Sequence, residues 1–283
     1  MVVVKSVNEL KKQVGRLRDE HKSIRFVPTM GALHQGHLQL VSRCVAENDA
    51  CVVSLFINPT QFNDKNDFNR YPRTLENDTA LLASVGCAIV FAPSAEEMYT
   101  PSEMETVFEF DFGGLDEVME GIFRPGHFNG VVQVVSKLFS MVTPDKAYFG
   151  EKDFQQLAII RRMVQVMNFP IEIVGCPIVR EKSGLALSSR NALLSEQERT
   201  TAAVIYRTLS ESKQLMHEKT VAETKAWVID RLNAIDGLKV EYYEIVNGNS
   251  LQSITDWSDA DYVVGCVTVY CGKVRLIDNI NYK

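Results

Sequence analysis

Near its N-terminus the chain reads Ile24-Arg-Phe-Val-Pro-Thr-Met-Gly-Ala-Leu-His-Gln-Gly-His37, an apolar run followed by a turn and two histidines. The apolar run predicts a buried strand, and the segment after it predicts the start of a helix. Gly31 and Gly36 let backbone N–H groups approach a ligand closely, and a helix N-terminus adds positive potential. His34 and His37 are three residues apart, so both can face one group when the segment is helical. We therefore expect this segment to bind the phosphates of a nucleotide.

Two other interpretations of the histidine pair stay open on spacing alone. A His-x-x-His pair can hold a metal, although no Glu, Asp or Cys stands nearby at the spacing of a zinc protease. The two histidines can also be ordinary surface residues at a helix start. The segment His34-Gln-Gly-His37 resembles the His-x-Gly-His signature of the nucleotidyltransferase superfamily, and this resemblance favours phosphate binding.

Length, charge and cysteine content restrict the class of protein. A chain of 283 residues favours about two domains. The 36 acidic and 30 basic side chains give a net charge of −6, which argues against a nucleic-acid partner. Six cysteines lie mostly in apolar runs and predict buried free thiols in a reducing compartment. No apolar run is long enough for a signal segment or a membrane span, so we expect a soluble cytoplasmic protein.

Strand-like and helix-like segments alternate through the first 178 residues. A capping box at Ser6-x-x-Glu9 predicts a first helix. After the histidine segment, short apolar runs predict strands at Cys51–Ile57, Ala88–Phe91, Ala147–Phe149 and Ile171–Val174. Such alternation predicts a parallel sheet covered by helices on both faces, with ligands beyond the carboxyl ends of its strands.

The pattern changes near residue 180. Capping boxes at Ser195-x-x-Glu198 and Thr220-x-x-Glu223 predict two consecutive helices. Strand-like runs follow at Val240–Val246, Tyr262–Val269 and Val274–Ile277. We therefore predict a smaller α+β domain over residues 179–283, after a first domain over residues 1–178.

Two polar segments follow predicted strands and are compatible with ligand binding. In Asn58-Pro-Thr-Gln61-Phe62, the Gln61 amide can read a hydroxyl or a carboxylate, although the segment can also be an ordinary Asn-Pro turn. In the segment 149–156, Gly150 allows close backbone approach and Lys152 offers a cation for phosphate. Asp153 can cap the next helix or bind a ribose hydroxyl, and plain capping is the simpler role.

Two further segments combine glycine, hydroxyl and basic groups. Leu187-Ser-Ser-Arg-Asn191 supplies two hydroxyls and a guanidinium that suit a triphosphate, or it forms a solvated hinge between domains. Arg124-Pro-Gly-His-Phe-Asn-Gly130 opens another helix and is either a structural turn or a support for the site.

Several strings of the chain, in order and over nearly its whole length, are similar to those of the pantoate–β-alanine ligase family. The strings are Phe26–His34 with Gly36-His37, Asn58-Pro-x-Gln61-Phe62, Tyr71-Pro-Arg-Thr74, Arg124-Pro-Gly-His-Phe128 with Gly130-Val131, Phe149-Gly-Glu-Lys-Asp153 with Gln155-Gln156-Leu157, and Ser188-Ser-Arg-Asn191.

The resemblance implies a Rossmann-like, doubly wound ATP domain, a smaller C-terminal α+β domain that acts as a lid, and a homodimer. It implies pantoate contacts at Gln61, Gln156, Met30 and Phe62, with β-alanine also at Gln61. The implied ATP contacts are Met30, Gly31, Ala32, Leu33, His34, Gln35, Gly36, His37, Gly150, Glu151, Lys152, Asp153, Val179, Leu187, Ser188, Ser189 and Arg190. Leu187 departs from the methionine common in the family, and its similar volume predicts only a small change in packing.

The implied reaction joins pantoate to β-alanine through a pantoyl adenylate, with ATP as co-substrate. We expect His37, His34 and Lys152 to stabilise charge on the phosphates and Mg²⁺ to bridge phosphate oxygens. No protein ligand of Mg²⁺ can be assigned from the sequence; Asp78 is a guess. A nucleotidyltransferase that makes a dinucleotide-like product, or a nucleotide sensor without activity, would use the same first motif.

Overall fold

A computed structural model describes residues 1–47, 49–63 and 65–283 of the chain. Their helices and strands follow in the order β1 (Val2–Val4), α1 (Val7–Asp19), β2 (Ile24–Thr29), α2 (Gln35–Ala46), β3 (Ala50–Leu55), α3 (Lys65–Arg70), α4 (Leu75–Ser84), β4 (Ile89–Phe91), α5 (Ala95–Met98), α6 (Pro101–Glu105), α7 (Glu120–Phe123), α8 (His127–Val142), β5 (Lys146–Gly150), α9 (Phe154–Val166), β6 (Glu172–Cys176), α10 (Glu196–Ala202), α11 (Val204–Leu215), α12 (Val221–Asn233), β7 (Leu238–Asn247), β8 (Val263–Cys271) and β9 (Val274–Asn281). Short 3₁₀ turns lie at Pro59–Gln61, Ser189–Leu193 and Trp257–Asp259.

The chain divides into two compact units. The first comprises Met1–Asp116, Gly121–Glu151 and Gln156–Cys176, and the second comprises Glu117–Glu120, Lys152–Gln155 and Pro177–Lys283. The second unit thus takes two short segments from the N-terminal part of the chain. The ATP-binding and lid functions predicted for residues 1–178 and 179–283 stay predictions.

The first unit is built on a parallel sheet, as the sequence predicts. In the described part of the chain its strand order is β1-β4-β3-β2-β5-β6, and each neighbouring pair is parallel. Every residue of β3 is buried, although successive side chains point to opposite faces. Burial on both faces is typical of a parallel sheet that helices cover on each side.

The order of strands reverses next to β2. From β2 the chain continues to β3 and β4 on one side of the sheet, and β5 and β6 lie on the other side. Arg25 and Phe26 of β2 pair with Lys146 and Ala147 of β5. Open parallel sheets bind ligands at such a switch point, beyond the carboxyl ends of the strands. The histidine segment follows β2, so it begins at this switch point.

The second unit is a small α+β domain, as predicted. Helices α10, α11 and α12 precede an antiparallel sheet of order β7-β8-β9. Its core joins apolar side chains of the helices and the sheet; they include Leu209, Val228, Leu232, Tyr243, Val267 and Val269.

Local sequence signals agree with the structure at the starts of α1, α10 and α12. The capping boxes at Ser6, Ser195 and Thr220 all form. The prediction of two consecutive helices after residue 195 was incomplete, because a break at Ala203 separates α10 from α11. The edge strand β1 was not predicted; it consists of three residues, and Val2 and Val3 are exposed.

All six cysteines are buried, and none of them forms a disulfide bond within the described part of the chain, which confirms the prediction of buried thiols. None of the helices that the structure describes combines the length and the apolar character needed to span a bilayer.

Candidate active site

The turn after β2 has an unusual backbone conformation that Asp78 holds in place. Gly31 and Ala32 have φ angles of 80° and 51°. This geometry directs the N–H groups of Ala32 and Leu33 to the Asp78 carboxylate, at 2.9 and 2.8 Å. Asp78 is 1% exposed. A left-handed alanine is strained, and such strain is typical of functional turns.

Asp78 lies in the first turn of helix α4. From there its carboxylate holds the turn that follows β2. It also accepts a hydrogen bond from the Thr74 hydroxyl at 3.1 Å. A β carbon at Gly31 would lie 3.1 Å from Oδ2 of Asp78, so the tight approach favours glycine there. The sequence guess that Asp78 holds Mg²⁺ did not foresee this role.

The two histidines cap helix α2 reciprocally. Nδ1 of His34 accepts from the N–H of Gly36 at 3.1 Å, and Nδ1 of His37 accepts from the N–H of His34 at 3.4 Å. Their ring centroids are 4.0 Å apart. Because Nδ1 is an acceptor in both rings, the neutral rings carry their protons on Nε2. The helix cap thus fixes the tautomer in which Nε2 can donate to an anion.

Gln61 is a buried amide, held from several directions within the first unit. Its Oε1 accepts from Nδ2 of Asn58 at 3.2 Å, and its Nε2 lies 3.1 Å from Sδ of Met30. Oδ1 of Asn58 accepts from the Tyr99 hydroxyl at 2.8 Å. Burial raises the pKa of Tyr99, so this phenol stays protonated and donates. The structure therefore brings together Met30 and Gln61, two of the predicted pantoate residues.

The segment Arg124–Gly130 supports the backbone of this site. Nδ1 of the buried His127 lies 2.7 Å from the carbonyl oxygen of Gln61. A β carbon at Gly130 would approach the Thr60 carbonyl oxygen within 2.4 Å, and the Gly130 carbonyl accepts from Nδ2 of Asn58 at 3.0 Å. Of the two roles left open by the sequence, these contacts favour support of the site.

Phe62 lies in an aromatic cluster next to Gln61. Its ring centroid is 5.4 Å from that of Phe68 and 5.8 Å from that of Tyr71, and both pairs are edge-to-face. The surroundings of Phe62 are therefore apolar, and its contact with pantoate stays a prediction.

The segment 149–156, which the sequence predicts to bind a ligand, begins at the C-terminal end of β5. Gly150 ends the strand, and the N–H of Glu151 donates to the Cys176 carbonyl at 2.8 Å. Asp153 is exposed and directly precedes α9. On that helix Gln156 is half-buried, whereas its neighbour Gln155 is buried.

In the second unit a buried network holds the segments 117–120 and 152–155. Oε1 of Gln155 accepts from the N–H of Glu120 at 2.9 Å, and its Nε2 donates to the Val118 carbonyl at 2.8 Å. The Glu120 carboxylate accepts two bonds of 2.8 Å from the Arg275 guanidinium and one of 2.8 Å from the Tyr242 hydroxyl. The sequence analysis missed this network, because its members are far apart along the chain.

In the second unit, the segment Leu187–Asn191, which supplies two hydroxyls and a guanidinium, follows a short hairpin. The N–H of Leu187 donates to the Val179 carbonyl at 2.9 Å. Ser188 then caps a 3₁₀ turn, and its hydroxyl oxygen accepts from the N–H of Arg190 at 3.3 Å. A hydroxyl that accepts one bond can still donate its hydrogen to a ligand. Ser188, Ser189 and Arg190 are all half-buried.

Among the described residues, protein side chains alone do not form a metal site. No cluster of three or more His, Cys, Asp and Glu side chains there is arranged to hold a metal ion. The first predicted alternative, a metal held by the His34–His37 pair, finds no further ligands in this part of the chain.

A parallel sheet whose switch point carries a glycine turn and two histidine donors is typical of nucleotide-binding α/β proteins. A family model described as pantoate-beta-alanine ligase matches residues 2–281. The pantothenate synthetase of Phocaeicola vulgatus is 60% identical to the chain over 284 residues and that of Porphyromonas gingivalis 57% over 283 residues, each with 100% of both sequences covered. The chain belongs to the pantoate–β-alanine ligase family.

Solved structures agree with this assignment. A pantothenate synthetase from Thermus thermophilus matches with a TM-score of 0.92 and 44% identity, covering 100% of this chain and 99% of that one. A pantoate-beta-alanine ligase from Francisella tularensis, solved with beta-gamma ATP and beta-alanine, matches with a TM-score of 0.83 and 33% identity over 100% of this chain and 98% of that one.

Proposed function

We propose that the protein is an ATP-dependent ligase that condenses pantoate with β-alanine, and that it serves the synthesis of pantothenate and coenzyme A. The pantoate carboxylate attacks the α-phosphorus of ATP, forming pantoyl adenylate and releasing pyrophosphate. The amine of β-alanine then attacks the acyl carbon, loses a proton and displaces AMP. The single observation that carries the proposal is family membership over the whole chain.

Activation is necessary because a carboxylate is a poor electrophile at neutral pH. Neither step needs a covalent bond to the protein, so catalysis consists of positioning and stabilisation of charge. The protein groups that act in each step are therefore hydrogen-bond donors and cations, and no side chain acts as a nucleophile.

His34, His37 and Lys152 stabilise the negative charge that develops on the α-phosphate and on the leaving pyrophosphate. The capped tautomer supports this role for the histidines, because it places both protons on Nε2. Lys152 adds a mobile cation that suits phosphate.

Gln61 and Gln156 bind pantoate, while Met30 and Phe62 form apolar walls for its gem-dimethyl group. β-Alanine also binds near Gln61. An amide suits this role because it can donate to a carboxylate and accept from a hydroxyl without carrying a charge. The bond from Asn58 supports the role by fixing the orientation of the Gln61 amide.

ATP contacts the turn 30–37, the segment 150–153, Val179 and the segment 187–190. Ser188, Ser189 and Arg190 bind the phosphate tail. Mg²⁺, if bound to ATP, would supply further neutralisation of phosphate charge beside Lys152 and Arg190. The protein works as a cytoplasmic homodimer.

One assay tests the proposal. The purified protein is incubated with ATP, Mg²⁺, D-pantoate and β-alanine, and the products are identified by mass spectrometry. The expected products are AMP, pyrophosphate and pantothenate in equal amounts. A dinucleotide-like product without free AMP would instead indicate a nucleotidyltransferase, and binding of ATP without turnover would indicate a sensor.

A further inference from the structure

Two segments with proposed phosphate contacts, both in the second unit, are attached to the same dipeptide of β9. Nδ2 of Asn279 donates to the Lys152 carbonyl at 3.1 Å. The adjacent Asp278 binds Arg180 with two bonds of 2.7 and 2.9 Å, and Arg180 lies in the hairpin that leads to Ser188. Asp278 and Asn279 are 6% and 8% exposed, so both attachments are shielded from water.

The attachment of the hairpin is rigid. The Arg180 guanidinium also donates to the Gly184 carbonyl at 3.2 Å and lies 3.6 Å from the centre of the Tyr206 ring. Gly184 has a φ of 94°, and a β carbon there would lie 2.9 Å from the Tyr206 ring. A planar guanidinium that is bonded on its edge and stacked on its face has little freedom to move. The hairpin 179–187 is therefore fixed relative to Asp278.

The segment that carries Lys152 is held at both of its ends. Asn279 binds the carbonyl at its start, and Gln155 at its end bonds to Val118 and Glu120. The Glu120 carboxylate is in turn bound by Arg275, which also lies on β9. One strand thus holds the backbone of Lys152 and the hairpin before Ser188.

We propose that Asp278 and Asn279 are a positioning pair on one strand, in which Asn279 places Lys152 and Asp278 places the segment 188–190. The inference rests on the proposed function, in which both segments contact the phosphates of ATP. Asn279 acts through Lys152, and Asp278 acts through Arg180 on Ser188–Arg190. Neither side chain needs to touch a substrate. Misplacement of a binding group by about 1 Å can cost about 10²-fold in rate, so the placement of each group matters for turnover.

A reciprocal set of double mutants tests the pair. Asn279→Ala is expected to lower kcat for AMP release by about 10- to 100-fold. In a Lys152→Ala background the same change is expected to cost less than about 3-fold, because the group that it positions is gone. In an Arg190→Ala background it is expected to keep its full cost.

The second arm uses Arg180→Lys, which keeps the charge but loses the two-pronged bond to Asp278. The decrease in kcat that Arg180→Lys causes is expected to vanish in the Arg190→Ala background and to persist in the Lys152→Ala background. Where a background turns over too slowly, the same cycles are measured as changes in the dissociation constant of ATP. Asn233→Ala is the matched control, because Oδ1 of Asn233 accepts from the N–H of Val240 at 2.8 Å in the same unit, and Val240 belongs to neither segment.

The outcomes separate this inference from the proposed function. Equal costs of Asn279→Ala in all backgrounds, or equal effects of Asn279→Ala and Asn233→Ala, would show a merely structural role and overturn the pair. Wild-type turnover in both Lys152→Ala and Arg190→Ala would instead overturn the phosphate contacts. A lowered melting temperature without the reciprocal pattern also counts against the pair.

Discussion

At the scale of single residues, we expect His37 to have two separable roles, one for each of its ring nitrogens. Nδ1 completes the cap of α2, while Nε2 carries the proton that the proposed chemistry needs. A residue that both caps a helix and donates to a substrate gives a misleading result when it is replaced by alanine. Two substitutions can separate these roles.

His37→Gln is expected to keep the cap and lose the chemistry. Glutamine at this position of a capping box can still accept from the His34 N–H through Oε1. Its amide nitrogen can lie near the position of Nε2, but it is a weaker donor and cannot carry a positive charge. We expect kcat to fall by about 10²–10³-fold, as when one oxyanion donor is removed. Unfolding in urea should change by less than about 0.5 kcal/mol for His37→Gln and by about 1 kcal/mol for His37→Ala. Wild-type turnover in His37→Gln would show that the reaction does not need an imidazole at this position.

Gln156→Glu tests the proposed recognition of pantoate. The change keeps the shape of the side chain and adds a negative charge beside a substrate carboxylate. At an effective dielectric constant of about 20, the repulsion at contact distance is about 3–4 kcal/mol. We therefore expect kcat/KM for pantoate to fall by about 10²–10³-fold, with the dissociation constant of ATP little changed.

Gln165→Glu is the matched control, since Gln165 is exposed on the same helix α9. It should leave the kinetics unchanged. Equal weakening of ATP binding by Gln156→Glu would place this residue on the nucleotide instead, and unchanged pantoate kinetics would remove it from the site.

Sequence reasoning proposes the residues of the candidate site that stand in short motifs, such as His34, His37 and Gln61, and their roles stay predictions. It did not reach the residues that hold them. Tyr99 and Asp78 support motifs about 40 residues away along the chain, and their roles depend on tertiary contacts. Gln155 and Gln156 are adjacent in sequence, and only the structure shows that Gln155 is buried in a backbone network.

At the scale of secondary-structure elements, the turn between β2 and α2 depends on a carboxylate from α4. Asp78→Asn replaces one acceptor oxygen with an amide that faces a backbone N–H. A buried donor without an acceptor costs about 2–3 kcal/mol, and we expect a loss of unfolding free energy of that size. We also expect a higher KM for ATP, because the turn is proposed to contact its phosphates.

Glu76→Gln serves as control, because Glu76 lies in the same first turn of α4 and is exposed. Its unfolding free energy should stay within about 0.5 kcal/mol of the wild type. A stable Asp78→Asn with an unchanged KM would show that the turn does not need the carboxylate.

Helix α6 is tied to α8 by an ion pair that should weaken in acid. Nζ of Lys137 lies 2.7 Å from the Glu103 carboxylate. This bond, with a further bond from the N–H of Thr100, lowers the pKa of Glu103 from 4.5 to about 2. Since the folded pKa lies below the unfolded one, the pair stabilises the fold above about pH 4.5 and loses its effect as the pH falls toward 2.

Glu103→Gln is therefore expected to destabilise the protein at pH 7 and to match the wild type near pH 2. The Glu103 side chain is 37% exposed. Solvent screening limits the difference at pH 7 to about 0.5–1 kcal/mol. Urea unfolding across this pH range measures it, with Glu105→Gln, an exposed position of the same helix, as the control. A difference that stays constant with pH would assign the effect to packing.

The elements themselves were largely predictable, because periodic apolar residues and capping boxes are local signals. The boundaries were less so. Strand β9 extends from Val274 to Asn281, beyond the predicted end at Ile277, since its last residues pair with β8. The break at Ala203 has no capping signal in the sequence, and its N–H still bonds to the Arg199 carbonyl.

At the scale of the whole molecule, two units share the chain unevenly. The segments Glu117–Glu120 and Lys152–Gln155 precede residue 177 in sequence but pack with the second unit. A prediction from the sequence alone places the domain boundary at one position along the chain. It therefore does not detect short segments that pack with the other unit. They are held by buried polar bonds between residues more than 100 positions apart, such as Glu120 with Arg275.

The order of the two chemical steps is a property of the whole enzyme and can be measured without its amine substrate. If pantoyl adenylate forms first, ATP and pantoate alone should suffice for its formation, and the step should be reversible because one phosphoric anhydride is exchanged for another anhydride. We therefore expect labelled pyrophosphate to appear in ATP when Mg²⁺, ATP, pantoate and pyrophosphate are present and β-alanine is absent.

Omission of pantoate is the control for this exchange and should abolish it, because no adenylate can then form. His37→Gln should slow the exchange as much as it slows AMP release, since the same phosphate charge develops in both. A preparation that makes pantothenate but shows no exchange without β-alanine would demonstrate a concerted route, in which the amine must be bound before the carboxylate attacks ATP. Exchange that persists in His37→Gln at the wild-type rate would instead place the role of this histidine in the second step, where the amine displaces AMP.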